Sequence, residues 1–99
     1  PGYGAAKAAV VQMTKTLAVH YAGSNIRVNA VAPGLVASNM TAPMLSFDAM
    51  TKPHLDRTPL NRIGLPDEIA PAVLFLASQA SQFTTGHTMV VDGGFSAKG

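Results

Sequence analysis

Two side chains near the start of the chain, the phenol of Tyr3 and the ammonium of Lys7, have types and a spacing suited to acid–base chemistry. In the run Tyr3-Gly4-Ala5-Ala6-Lys7 they stand four residues apart, so on a helix they share one face, one turn apart. A phenol ordinarily keeps its proton to about pH 10. A cation beside it favours the phenolate, so the proton leaves more readily. A phenol tuned in this way can donate a proton to a developing alkoxide or accept one from an alcohol. Tyr-x-x-x-Lys also arises by chance on many helices, as a surface Tyr and a solvated Lys. The elements that position the pair bear on which reading holds.

Good helix formers dominate residues 3–22, and beyond Lys7 only Gln12, Thr14, Lys15, Thr16 and His20 interrupt the apolar surface. This predicts a helix apolar around most of its girth, buried on more than one side, with Gly23 as its stop. Residues 26–32, Ile26-Arg27-Val28-Asn29-Ala30-Val31-Ala32, read as a parallel strand covered on both faces and ended by Pro33-Gly34. Residues 35–61 have no clean period. Met40, Met44, Leu45, Phe47, Met50 and Leu55 are scattered among Pro43, Pro53 and Pro59, which predicts one or two short helices inside a long loop. Loops of that length are often lids or binding loops, and methionines suit an adaptable apolar surface. Pro66-Asp67-Glu68 opens a second long helix, with proline in the first turn and acids at the positive end of the dipole. Residues 87–91 read as a second strand, closed by the turn Asp92-Gly93-Gly94. Strand, helix and strand form a βαβ unit, expected to be right-handed with parallel strands.

Composition narrows the function classes. Ninety-nine residues make at most one small domain. With 47% hydrophobic and 12% charged residues, the chain is no disordered tail and expects to bury much of its surface. A net charge of +2 without any Lys/Arg cluster argues against nucleic acid. There is no cysteine, so no disulfide or thiolate, and His20, His54 and His87 stand too far apart for metal-ligand spacing. No apolar run reaches the length of a membrane span. The chain starts without Met and inside a helical pattern, which reads as the tail of a longer protein.

The order and spacing of several motifs resemble the C-terminal part of a short-chain dehydrogenase/reductase, over essentially all 99 residues. Tyr3 and Lys7 match the family's Tyr-x-x-x-Lys. Asn29-Ala30-Val31-Ala32-Pro33-Gly34 matches its strand and Pro-Gly segment. Arg62-Ile63-Gly64-Leu65-Pro66-Asp67-Glu68-Ile69-Ala70 looks like the start of its later helix. Phe75-Leu76-Ala77-Ser78, Thr85-Gly86 and Val91-Asp92-Gly93-Gly94 match the approach to its last strand and the turn beyond. The nearest flavour is the 3-oxoacyl-carrier-protein reductase or the sugar and alcohol dehydrogenases. The resemblance implies an α/β fold, the C-terminal half of a Rossmann-like doubly wound parallel sheet, with residues 1–99 a single partial domain.

It also implies roles. Tyr3 is the general acid/base on the substrate oxygen. Lys7 lowers the Tyr pKa and hydrogen-bonds the nicotinamide ribose. Pro33 and Gly34 line the nicotinamide pocket, the Val36 backbone meets the carboxamide, and Ser38 stands where the family often has a cofactor-contacting Thr. Residues 39–61 are the substrate loop. The implied cofactor is NAD or NADP, the substrate a small carbonyl or alcohol compound, and the location cytoplasmic. The Gly-rich phosphate loop, the residue that selects NAD or NADP, and the active-site Ser and Asn have no counterpart in these residues. Asn29 belongs to the strand motif.

Three readings remain: part of an NAD(P)-dependent oxidoreductase, inactive alone; a non-catalytic, self-associating module; and a hydrolase. The last lacks both Gly-x-Ser-x-Gly and Ser-x-x-Lys. Loss of a neighbour would leave the 26–32 strand with an open edge. The implied partners are further copies of the chain or the half of the fold that carries the dinucleotide loop, with neither nucleic acid nor membrane. For His20, His54, His87, Arg57, Arg62, Asp67, Glu68 and Asp92 the structural reading outweighs the catalytic one.

Overall fold

The first helix, α1 (Gly2–Tyr21), buries one narrow stripe. The computed structural model describes residues 2–38, 41–46 and 48–97, the side chains of residues 2, 3, 44, 48 and 50 lying outside that description. Over residues 4–21 only Lys7, Val11, Thr14 and Ala18 are buried or half-buried. Their spacing of four, three and four puts them on one helix face. Thr14 is 4% exposed, its hydroxyl donating to the Val10 carbonyl at 2.7 Å. Ala18 is 3% exposed and lies against Gly86, where an added Cβ would come within 3.4 Å of the Ala18 Cβ. Burial on several sides is not found: Val10, Met13, Leu17 and Val19 are exposed. The apolar composition suits more neighbours than these residues supply.

The helix does not stop at Gly23. A 3-10 turn over Ala22–Ser24 carries the chain past it, and the left-handed residue is Asn25, at φ 60°. Its N–H bonds the Ala22 carbonyl at 3.1 Å. Asn tolerates this conformation better than most residues with a side chain.

Two strands, β1 (Ala30–Pro33) and β2 (Thr88–Val91), form a two-stranded sheet. Ala30 N–H bonds the His87 carbonyl at 2.9 Å and Gly34 N–H bonds the Val91 carbonyl at 3.0 Å. Both members of the pair advance by four, so the strands are parallel, as expected. The first strand is shorter than residues 26–32 because side chains hold its approach. Asn29 uses both ends of its amide, donating to the Thr84 carbonyl and accepting from His87 N–H. Val28 N–H bonds the Thr85 hydroxyl.

Among the described residues three α-helices follow β1: α2 (Ala42–Leu45), α3 (Asp48–Asp56) and α4 (Pro66–Ala77). The first two realise the short helices expected in the long loop. Met40 and Phe47 lie outside the described residues, as do the side chains of Met44 and Met50. Pro66 is the first residue of α4. Glu68, three residues past Leu65, reaches back to the Leu65 N–H at 3.0 Å, the return half of a capping box. Beyond α4 the Arg27 guanidinium gathers the Leu76, Ser78 and Thr84 carbonyls and the Ser81 hydroxyl at 3.0–3.1 Å. Among the described residues no helix is long and apolar enough to cross a membrane.

The chain divides into two compact units, Pro1–Ala32 with Ala72–Met89, and Pro33–Pro71 with Val90–Gly99.

Candidate active site

The expected site residues fall in both units. Tyr3 and Lys7 belong to the first, and Pro33, Gly34, Val36 and Ser38 to the second. On α1, Lys7 is half-buried and heads the stripe Lys7, Val11, Thr14, Ala18. Position 3 continues that register by one more step of four. The Tyr3 side chain lies outside the described residues.

In the second unit, residues 34–38 are held from two sides. On one side Val36 and Gly64 make a parallel bridge: Gly64 N–H bonds the Leu35 carbonyl and Ala37 N–H bonds the Gly64 carbonyl, both at 3.0 Å. In such a bridge the N–H and carbonyl of the bridged residue itself face the other way. There the Thr41 hydroxyl donates to the Val36 carbonyl at 2.6 Å. Among the described residues the Val36 N–H has no partner.

Ser38 is exposed and sits in a turn at the entrance to α2. Its hydroxyl accepts from Thr41 N–H at 3.3 Å, and its carbonyl accepts from Ala42 N–H at 2.8 Å. Pro33 is the exposed last residue of β1.

Gly34, Leu35 and Val36 line a cavity of about 110 Å³, together with His54, Thr58, Arg62, Glu68 and Asp92 among others. That space is far below the few hundred Å³ of a small-molecule site. Several of its polar walls are engaged, with one another or with residues behind them. His54 stacks on Phe95, ring centroids 4.4 Å apart and 8° from parallel, and the Arg57 guanidinium stands 4.9 Å from the same ring. Arg62 grips Glu68 through both nitrogens, at 2.7 and 2.6 Å. That grip, with the Leu65 N–H, holds the Glu68 carboxyl down to about 2 and raises the Arg62 guanidinium further. The structural reading of these charged residues therefore fits. Thr41, which sets the Val36–Ser38 backbone, carried no sequence signal beyond its place after the Pro-Gly segment. Among the described residues no group of three His, Asp or Glu side chains could hold a metal.

A family model described as enoyl-(acyl carrier protein) reductase matches residues 1–96. Galactitol 2-dehydrogenase (L-tagatose-forming) of Cereibacter sphaeroides is 50% identical over 93 residues, 94% of this chain and 37% of its own length. A 3-oxoacyl-(acyl-carrier-protein) reductase of Thermotoga maritima is 49% identical over 92 residues, with 93% and 37% covered. The chain belongs to the short-chain dehydrogenase/reductase family.

Its α/β fold is the Rossmann-like type of that family's solved structures. A candidate 2-deoxy-D-gluconate 3-dehydrogenase of Agrobacterium tumefaciens with bound NADP superposes with TM-score 0.87 at 41% identity, over 98% of this chain and 39% of that one. A 4-hydroxyisoleucine dehydrogenase complexed with NADH gives 0.86 at 34%, over 96% and 39%. The short-chain dehydrogenase/reductase chain described here spans less than two fifths of the length of those two curated relatives.

Proposed function

We propose that these residues are the C-terminal, proton-transferring part of an NAD(P)-dependent oxidoreductase that interconverts a carbonyl and an alcohol. The observation that carries the reading is Lys7. In a chain of this family it stands four residues after Tyr3, at the head of the stripe that α1 buries. Lys7 is then on the packed face of the helix rather than the solvated one.

The residues present fit the nicotinamide end of a cofactor. Gly34 brings its backbone close to Asp92, and the Val36 N–H, which has no partner among the described residues, is a donor suited to a carboxamide oxygen. Pro33 and Ser38 flank that segment. A bound cofactor supplies or accepts the hydride. Tyr3 holds the proton at the substrate oxygen, giving it to a developing alkoxide or taking it from an alcohol. Lys7 keeps the phenol ready to release that proton and binds the ribose hydroxyls.

The Gly-rich phosphate loop has no counterpart in these 99 residues, so the dinucleotide site is completed by polypeptide outside them. The isolated residues 1–99 turn over no substrate. Titration of the natural, longest form of the protein with NADH and NADPH, read by nicotinamide fluorescence, tests the reading. Saturable binding in the micromolar range, about −8 kcal/mol, is expected, followed by turnover of a carbonyl compound. No binding up to millimolar cofactor overturns it.

One observation favours a second reading, a self-associating module without catalysis. Val10, Met13, Leu17 and Tyr21 follow one another at steps of three and four on α1, and all are exposed. Sedimentation of residues 1–99 as a stable oligomer that binds neither cofactor would favour it.

A further inference from the structure

We infer that Thr41 is a positioning residue of the cofactor site, fixing the backbone of Val36–Ser38 so that the Val36 N–H stays open to a nicotinamide carboxamide. The inference rests on the reading of residues 33–38 as the nicotinamide end of that site.

A threonine hydroxyl has one proton and two lone pairs. The Thr41 proton goes to the Val36 carbonyl at 2.6 Å, the shortest of its contacts. As acceptor, the same oxygen takes the Ser38 N–H at 2.9 Å. The Ser38 hydroxyl lies 3.2 Å away, and because the Thr41 proton is already placed, Ser38 is the donor of that pair. The Thr41 N–H returns a bond to the Ser38 hydroxyl at 3.3 Å. One hydroxyl thus joins the carbonyl of residue 36 to the N–H of residue 38.

The consequence for Val36 is directional. Gly64 takes Leu35 and Ala37, so Val36 can only turn its own N–H and carbonyl to the opposite side. Thr41 occupies the carbonyl and leaves the N–H alone. Without the hydroxyl, the Val36 carbonyl and the Ser38 N–H both need new partners, and the Ala37–Ser38 peptide, which Gly64 does not hold, is free to rotate. An open N–H costs free energy when left unpaired away from water, so its fixed presentation matters most when a ligand oxygen meets it. Ser38, the residue expected to touch the cofactor, is tied to the same hydroxyl and shares its orientation.

The test compares two ligands on three proteins. In its natural, longest form the protein, its Thr41→Val variant and its Thr41→Ser variant are titrated with whichever of NADH and NADPH binds. The same titration is run with the matching ADP-ribose, which lacks only the nicotinamide. Thr41→Val, which keeps the shape and removes the hydroxyl, should weaken reduced cofactor about tenfold and leave ADP-ribose within about twofold. Thr41→Ser should restore reduced cofactor to within about twofold of the parent. Equal weakening of both ligands, or of neither, overturns the role assigned to Thr41 while leaving the cofactor site intact. No binding of either reduced cofactor by the parent protein overturns the functional reading and this inference together. A measurement without any variant guards against poor folding of Thr41→Val. Amide exchange at Val36 should slow with reduced cofactor and not with ADP-ribose, and exchange unaffected by both overturns the inference.

Discussion

Gly34 lies so close to Asp92 that position 34 has no room for a side chain: a Cβ there would sit 2.9 Å from both the Cα and the Cβ of Asp92. Asp92 cannot step aside easily. One carboxylate oxygen accepts the Gly94 N–H at 3.0 Å, and the other accepts the Ser96 N–H at 2.9 Å and the Ser96 hydroxyl at 2.6 Å. The glycine of the Pro-Gly segment therefore has a packing reason within this chain, beside any reason a cofactor adds. Gly34→Ala should cost about 1–3 kcal/mol, the usual penalty for forcing extra atoms into a packed site. A urea unfolding curve measures it, and an unchanged midpoint would show that the Asp92 turn yields.

Arg27 predicts a larger effect on the other unit. Its guanidinium serves the Leu76, Ser78 and Thr84 carbonyls and the Ser81 hydroxyl, tying the end of α4 to the approach to β1. Ser81 is buried. Arg27→Met keeps most of the stem and removes every donor, so stability should fall by about 2–4 kcal/mol, the range for several hydrogen bonds to a charged group lost together. Arg27→Lys should recover only part of it, because a compact ammonium cannot match the spread of a planar fork. Denaturant midpoints of the three proteins check both statements.

The order helix, strand, loop, helix, strand was legible in the sequence because each start or stop has a local cause. Pro66 and the acids after it mark the α4 start, and the β-branched run before Pro33 marks β1. The family was legible only through the joint order of several weak motifs, since Tyr3 and Lys7 alone do not distinguish a reactive pair from a surface one. What escaped the sequence depends on contacts between distant residues. Arg27 reads as one charge inside an apolar strand, and its four acceptors lie 49–57 positions away. Asn25 replaced Gly23 as the left-handed residue because a 3-10 turn moved the reversal two residues on. The exposure of Val10, Met13 and Leu17 follows from how little of this chain packs on α1, which composition does not disclose.

Glu68 gives a dependence on pH with a definite sign. Its folded carboxyl sits near about 2 against an ordinary 4.5, first because Arg62 donates to it and next because the Leu65 N–H does. A carboxyl depressed on folding adds stability above its unfolded value and loses that stability as pH falls through its folded value. The contribution is thus whole above about pH 4.5 and vanishes toward about pH 2. Glu68→Gln should flatten the stability profile in that window, with its full loss against the parent above the window and little difference below it. The pair is exposed, so added salt should weaken it. Thermal melts of both proteins between those pH values, at low and high salt, provide the comparison.

Tyr3 and Lys7 separate proton transfer from cofactor binding. If Tyr3 moves the substrate proton, Tyr3→Phe in the natural, longest form should lower kcat by about 10²–10⁴-fold, the usual worth of a positioned acid or base. Cofactor Kd should stay within about twofold, because the phenol acts on the substrate oxygen. If, as proposed, one ammonium serves both the phenol and the ribose, Lys7→Met should lower kcat and also weaken the cofactor. Its position at the head of the stripe formed with Val11, Thr14 and Ala18 makes methionine the apt replacement, matching the length of the stem on a half-buried face. Stopped-flow hydride transfer beside equilibrium titration yields both quantities for each variant. A Tyr3→Phe protein with unimpaired kcat would remove the phenol from the reaction, and a Lys7→Met protein with parental Kd would confine Lys7 to the phenol.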